Sequence, residues 1–211
     1  MNVDPIVISA AGRWTAKCVP LPDEHLDRMV LAVELVRLRL RRATEALEAA
    51  RIPYAVIGDN AVAAWVSTVD PAAARNTVDV DLLISRDQLD RTIAAMEAAG
   101  FIYGFTFGVH LFVDGPTGNA REGVHLLFTH ERVKENDVVE TPGFEGAEWL
   151  GERSVIDLVS LVTMKLTSFR RKDQVHLLDM LEVGLIDSTW LSRLPESLRP
   201  RLQQLLDDPD G

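Results

Sequence analysis

Arg75-Asn76-Thr77-Val78-Asp79-Val80-Asp81-Leu82-Leu83 is the stretch that decides the fold. Two carboxylates stand at i and i+2 inside an apolar run. Side chains alternate along a strand, so Asp79 and Asp81 share one face while Val78, Val80 and Leu82 share the other. Same-face carboxylates on a buried strand repel each other and are costly to desolvate. A divalent cation removes that cost. A hard ion such as Mg²⁺ is typically held by one or two carboxylates together with substrate phosphates. The pair therefore points to metal-assisted chemistry on a nucleotide. The competing reading is a solvated edge strand with alternating acids.

Upstream, Tyr54-Ala55-Val56-Ile57-Gly58-Asp59-Asn60 reads as a short strand ending in a tight turn, and residues 61–65 read as helical. A strand that turns through Gly into a helix N-terminus presents backbone N–H groups to an anion. Asp59 or Asn60 is suited to cap that helix. Gly58 is also explicable as a turn glycine needed for a positive φ, a role compatible with a phosphate cradle.

The order strand, Gly-turn, helix, loop, Asp-x-Asp strand resembles the nucleotidyltransferase superfamily. The Arg75-x-Thr77-x-Asp79-x-Asp81 form is similar to its AbiEii-type branch, which includes toxin–antitoxin nucleotidyltransferases. A second match follows: Leu161-Val162-Thr163-Met164-Lys165-Leu166, then Arg170-Arg171-Lys172-Asp173, then Asp179. The resemblance spans roughly residues 50–185. It implies an α+β fold, a mixed β-sheet flanked by helices with a C-terminal helical part. It implies that Asp79 and Asp81 hold Mg²⁺, with Mn²⁺ as the other candidate. It places a nucleoside triphosphate against Gly58, Asn60, Arg75, Thr77, Lys165 and Asp173. The reaction expected is transfer of a nucleotidyl group to a hydroxyl, on an RNA 3′ end such as that of tRNA or on a small, aminoglycoside-like molecule. An antitoxin or other protein partner also follows from that branch. A second class of reading is a fold relative without catalysis, acting as a nucleotide- or protein-binding module.

The chain departs from the pattern in three places. The turn is Gly58-Asp59-Asn60 where Gly-Gly or Gly-Ser is usual, so Asn60 stands in for Ser and Asp59 must point away from a phosphate. The loop from this turn to Asp79 is long. The third acid of the family falls, on the best candidate strand 123–128, at His125. His125 reads either as a catalytic replacement, base or ligand, or as a core or edge histidine. A neutral His takes a proton or binds a metal, and it suits Zn²⁺ or Mn²⁺ better than Mg²⁺. Asp114 or Glu122 would supply the carboxylate if the strand register were shifted.

Lys165 sits in an apolar helix, where an unpaired ammonium is expensive. It either snorkels or meets an anion. Asp173, His176 and Asp179 follow at i, i+3 and i+6. Their plain reading is a solvated face with Arg170, Arg171 and Lys172 as counter-charges; the family reading brings Asp173 to the site. The basic run Arg37-Leu38-Arg39-Leu40-Arg41-Arg42 reads as a solvated helix face, with a tRNA groove as the rival.

The 211 residues suit a main domain with a helical appendage, divided as 1–22 irregular, 23–151 core and 152–207 helical. At 47% hydrophobic the chain can build a core. A net charge of -10 argues against a general nucleic-acid coat protein. One cysteine, Cys18, permits no intrachain disulfide and suits a reducing cytoplasm. No signal peptide or membrane span is expected.

The expected elements are a helix over 23–50, strands over 54–57 and 78–84, and a helix over 87–99 closed by Gly100. Strands over 101–107, 109–113, 123–128 and 133–140 follow. Helices are expected over 155–169, capped by Ser154, and over 172–183, 188–194 and 196–206.

Overall fold

The structure is a computed structural model that describes residues 23–208. The irregular segment expected over 1–22, the final tail residues and Cys18 lie outside the described residues. The element order is α1 (Asp23–Ala49), β1 (Tyr54–Ile57), α2 (Gly58–Ser67), β2 (Val80–Ile84), α3 (Leu89–Ala98), β3 (Phe101–Thr106), β4 (Val109–Asp114) and β5 (Val124–Phe128). Then come β6 (Glu148–Leu150), β7 (Arg153–Val155), α4 (Leu158–Ser168), α5 (Arg171–Glu182) and α6 (Arg199–Asp207). Short 3₁₀ turns join several of these.

Seven strands form one mixed sheet in the order β3-β4-β5-β2-β1-β7-β6. The pairs β2–β5 and β1–β7 are parallel; the others are antiparallel. This is the α+β fold the motif implies. β1 and β2 occupy the centre, which explains their composition. Tyr54, Ala55, Val56 and Ile57 are all buried, as are Val80, Leu82, Leu83 and Ile84. A strand covered on both faces needs apolar residues on both. Asp81 is the polar exception, and it lies one residue into β2.

The apolar faces of α1 to α5 close over the sheet. α1 contributes Val36, Leu40, Ala43 and Leu47, three and four residues apart. Trp65 of α2 donates its indole N–H to the carbonyl of Ile156 at 2.9 Å, fixing α2 beside β7. Among the described residues, no helix is long and apolar enough to cross a membrane.

Four local expectations are corrected. Ser154 and Val155, expected to cap and open a helix, lie in β7 instead, and α4 begins at Leu158 with Asp157 accepting from Ser160 N–H at 2.9 Å. Pairing with β1 satisfies this backbone before the helix starts. Residues 133–140 form no strand but part of a loop. Its neck is closed by His130 N–H on Thr141 O at 3.0 Å and Thr141 N–H on Glu131 O at 2.8 Å. α2 starts at Gly58, with Ile57 at the cap position and no side-chain cap, so neither Asp59 nor Asn60 caps it. The basic run of α1 is not simply a solvated face. Arg39 is buried, donating to Asp114 Oδ2 at 2.6 Å and to the carbonyl of Val78 at 3.3 Å. Arg42 also pairs with Asp114 and lies over the Phe101 ring at 3.9 Å.

Candidate active site

Strand register assembles the site. β1 pairs Ile57 with Asp81, and β2 pairs Asp81 with His125. His125 therefore stands beside Asp81 on the neighbouring parallel strand, in the position where the sequence pattern calls for a third acid. Its Nδ1 is 3.4 Å from Asp81 Oδ1. Its Nε2 is 2.8 Å from the carbonyl oxygen of Ala120. A carbonyl only accepts, so Nε2 carries the hydrogen and Nδ1 is turned toward the carboxylates. The Asp81 carboxylate raises the His125 pKa above the usual imidazole value, against the opposing effect of burial.

Asp79, Asp81 and His125 offer ligand atoms that all lie within 4.8 Å of one another. Asp114 and Glu122 are elsewhere: Asp114 is taken by Arg39 and Arg42, and Glu122 accepts from Asn119 at 3.3 Å. Asp79 is held from two sides. Thr77 Oγ1 donates to its Oδ1 at 2.6 Å, and the Asn60 amide donates to its carbonyl oxygen at 2.8 Å. Asn60 and Thr77 thus brace the first carboxylate.

Gly58 is required by contact as well as by conformation. Its φ is +65°, and a Cβ there would fall 2.1 Å from Asp81 Oδ2. Gly58→Ala is expected to destabilise the fold by about 2–4 kcal/mol, from left-handed backbone strain and overpacking together. It also pushes Asp81 out of place. Chemical denaturation measures the first effect, and loss of divalent-ion binding the second. An unchanged midpoint with unchanged ion binding would contradict both.

The three groups open into a cleft of about 430 Å³, the size of a small-ligand site. Gly58, Asp59, Lys165 and Asp173 also line it. Asp59 points into a polar cluster. It accepts from Lys165 Nζ at 2.8 Å, pairs with Lys172, and has His176 Nδ1 3.3 Å away. Burial opposes its charge, but Lys165 and Lys172 hold its pKa below the ordinary carboxylate value.

Lys165 is buried, with Nζ 3.2 Å from Asp173 Oδ1 and 3.0 Å from His176 Nδ1 in addition to Asp59. Three partners use all three of its donors. Asp173 also accepts from Ser168 and Arg170, each at 2.8 Å. Burial works against its ionisation, but these donors prevail and hold its pKa down to about 2. His176 is pushed the other way, below its ordinary value, by burial and by Lys165.

The face formed by Asp173, His176 and Asp179 is therefore buried, not solvated. Its partners come from Asp59 of α2, Lys165 of α4 and Arg75 of the loop. Arg75 forms a two-point pair with Asp179, Nε to Oδ2 at 2.5 Å and an N–H to Oδ1 at 2.9 Å. Arg75 does not line the cleft.

Two cations that the sequence suggested only as counter-charges do line it: Arg170 and Lys172, both more than half exposed along the side chain. Position at the start of α5, directly after the α4 turn, was the signal available for them. The loop 131–141 supplies Lys134, Asp137 and Glu140 to the cleft lining. Nothing in its composition announced that role.

No family model and no curated protein matches this chain. Solved structures do. The solution structure of the antibiotic-resistance factor ANT(2'')-Ia matches with a TM-score of 0.54 and 16% identity, covering 82% of this chain and 93% of that one. The crystal structure of ANT(2'')-Ia with adenylyl-2''-tobramycin matches with a TM-score of 0.54 and 16% identity, over 81% and 98%. An antigenic nucleotidyltransferase-like protein from Paracoccidioides brasiliensis has a TM-score of 0.42 and 19% identity, over 71% and 75%. The chain has a nucleotidyltransferase-like fold.

Proposed function

We propose that this chain binds a divalent ion and a nucleoside triphosphate and transfers a nucleotidyl group to a hydroxyl acceptor. The carrying observation is that Asp79, Asp81 and His125 bring ligand atoms within 4.8 Å of one another, Asp81 and His125 being paired by strand register, in a cleft that Arg170 and Lys172 also line. The donor set fits a divalent cation: braced carboxylates, a directed imidazole nitrogen, and a glycine where a Cβ would collide with Asp81. Asp79 and Asp81 would hold the ion, which when bound supplies positive charge for the triphosphate.

Arg170 and Lys172 are the residues to which we assign the phosphates. Lys165 and Asp173 position them: Asp173 anchors Arg170, and Lys165 fixes Asp59, which pairs with Lys172. Arg75 clamps the loop before Asp79 to α5, and Thr77 and Asn60 orient Asp79 itself. The acceptor hydroxyl attacks the α-phosphorus in line. The new O–P bond forms as the bond to the β-phosphate oxygen breaks, pyrophosphate leaves, and the hydroxyl proton goes to a carboxylate oxygen of the pair. Catalysis of this kind is mostly positional and electrostatic.

A small cationic acceptor is favoured over an RNA end. Asp137 and Glu140 line the cleft, and the chain carries a net charge of -10. ANT(2'')-Ia, of the same fold, was solved with an adenylylated tobramycin. The AbiEii-type alternative, with an RNA 3′ end and an antitoxin, is favoured by the Arg75–Asp179 pair, which joins its two sequence signatures. Competition between the two acceptor classes separates them.

The direct test is thermal stability with each of the four nucleoside triphosphates, with and without divalent ion, for the wild type and the Asp79→Asn/Asp81→Asn variant. A ligand at ~100 times its Kd stabilises by roughly 2.7 kcal/mol. An ion-dependent shift that the double variant loses is expected. No shift with any nucleotide would refute the proposal.

A further inference from the structure

Mg²⁺ is the ion the fold leads one to expect, and it demands oxygen ligands in near-ideal octahedral geometry. The donor set here is not all oxygen. We propose that His125 supplies Nδ1 as a third ligand, so that the site selects a divalent transition ion, of which Mn²⁺ is the test case, over Mg²⁺. This rests on the nucleotidyl-transfer reading above and specifies its metal.

Four observations carry it. First, the parallel register fixes His125 beside Asp81 with no freedom of slip, because Val80, Leu82 and Ile84 pair with Val124, Leu126 and Phe128 on the same two buried strands. Second, the ring is oriented from behind. Nε2–H donates to the Ala120 carbonyl in the 3₁₀ turn before β5, which is how protein frameworks aim the opposite imidazole nitrogen at a metal. Third, Nδ1 lies 3.4 Å from Asp81 Oδ1. Adjacent ligands of an ion bound at about 2.1 Å stand roughly 3 Å apart, so the pair needs only a small adjustment.

Fourth, Asp59, the acid next to Gly58 in the cleft, is held by Lys165 and Lys172, while Asp114 and Glu122 lie outside the cleft. Imidazole is a borderline ligand that suits transition ions, whereas carboxylate and water alone suit Mg²⁺. One neutral nitrogen in place of a carboxylate also removes a negative charge from the site. That weakens the ion whose binding is most purely electrostatic.

The experiment is a Mn²⁺ titration of the whole chain followed by electron paramagnetic resonance, with Mg²⁺ as competitor. The wild type and the variants His125→Asp and His125→Gln are compared, with circular dichroism confirming each fold. In the wild type, Mn²⁺ should resist a roughly 100-fold excess of Mg²⁺. His125→Asp should shrink the Mn²⁺/Mg²⁺ preference at least about tenfold by gaining Mg²⁺, and His125→Gln should weaken Mn²⁺ by a similar factor while leaving Mg²⁺ unchanged. Gln adds no charge at this position, so it serves if a third carboxylate disrupts the strand pair.

An unchanged preference in both variants overturns the inference, since His125 would then be no ligand. So does a wild type that holds no Mn²⁺. The triphosphate shift measured alongside distinguishes the two failures. If nucleotide still binds, only the ligand assignment falls; if neither ion nor nucleotide binds, the nucleotidyl-transfer reading falls with it.

Discussion

Lys165→Met should lower the stability of this fold by about 3–5 kcal/mol, the usual cost of removing one partner from a buried ionic group. For a chain of this size that corresponds to a fall in melting temperature of roughly 6–20 °C. The substitution keeps the side-chain volume, so packing is not the cause. Asp59 and Asp173 lose the ammonium between them, and His176 Nδ1 loses its donor. Asp59→Asn combined with Lys165→Met should cost less than Lys165→Met alone, because one of the stranded charges is then gone. Equal losses in the single and double variants would show that Lys165 contributes through its stem and not its charge.

The same cluster sets an acid limit. Asp173 has its pKa lowered from 3.8 to about 2, so its contribution is complete above pH 3.8 and is lost as pH falls toward 2. The shift corresponds to roughly 2 kcal/mol. His176, whose pKa lies below 6.5, adds stability above that pH and loses it on acidification. His125, raised above 6.5, acts in the opposite sense and loses its contribution as pH rises. Melting temperature followed from pH 7 to pH 2 should therefore fall. The acid-side fall should be shallower in His176→Gln, which has no imidazole to protonate. An identical profile in that variant would remove His176 from the account.

Asp81→Asn should reduce nucleotidyl transfer at least ~10²-fold, the scale of loss when one preorganised electrostatic group is removed. The fold should survive. Asp81 lines the cleft and is only partly buried, and Asn has nearly the same shape. Its Oδ2 is also the atom against which Gly58 closes, so a larger side chain is not a fair test. Incorporation of labelled nucleotide at matched protein concentration reads the loss, with circular dichroism as the control. Turnover equal to wild type would remove Asp81 from the reaction.

Why was so much of the candidate site legible? Asp79 and Asp81 declared themselves because a carboxylate pair inside an apolar strand has few inexpensive explanations. Gly58 was legible as a turn, since only the strand-to-helix junction had to be recognised. His125 was found by counting along one strand. Residues 133–140 were misread as a strand because their valines mimic β-branched patterning, whereas the backbone of this loop is satisfied at the neck through Thr141. β7 was misread as helix because three residues carry too little periodicity to outweigh the long apolar run behind them.

The sequence by itself determined the local chemistry: an apolar central strand bearing Asp81 with Asp79 just before it, a glycine turn upstream, and a helical segment rich in charge. These are short-range properties, fixed by alternation, spacing and backbone freedom. What only the tertiary structure decided was which charges meet. Asp59 and Lys165 are 106 residues apart and Arg75 and Asp179 are 104 apart. A buried ion is tolerable only with its partner in place, and that partner is set by how α2, α4 and α5 pack. The face of Asp173, His176 and Asp179 therefore looked solvated as a pattern and is interior in the fold.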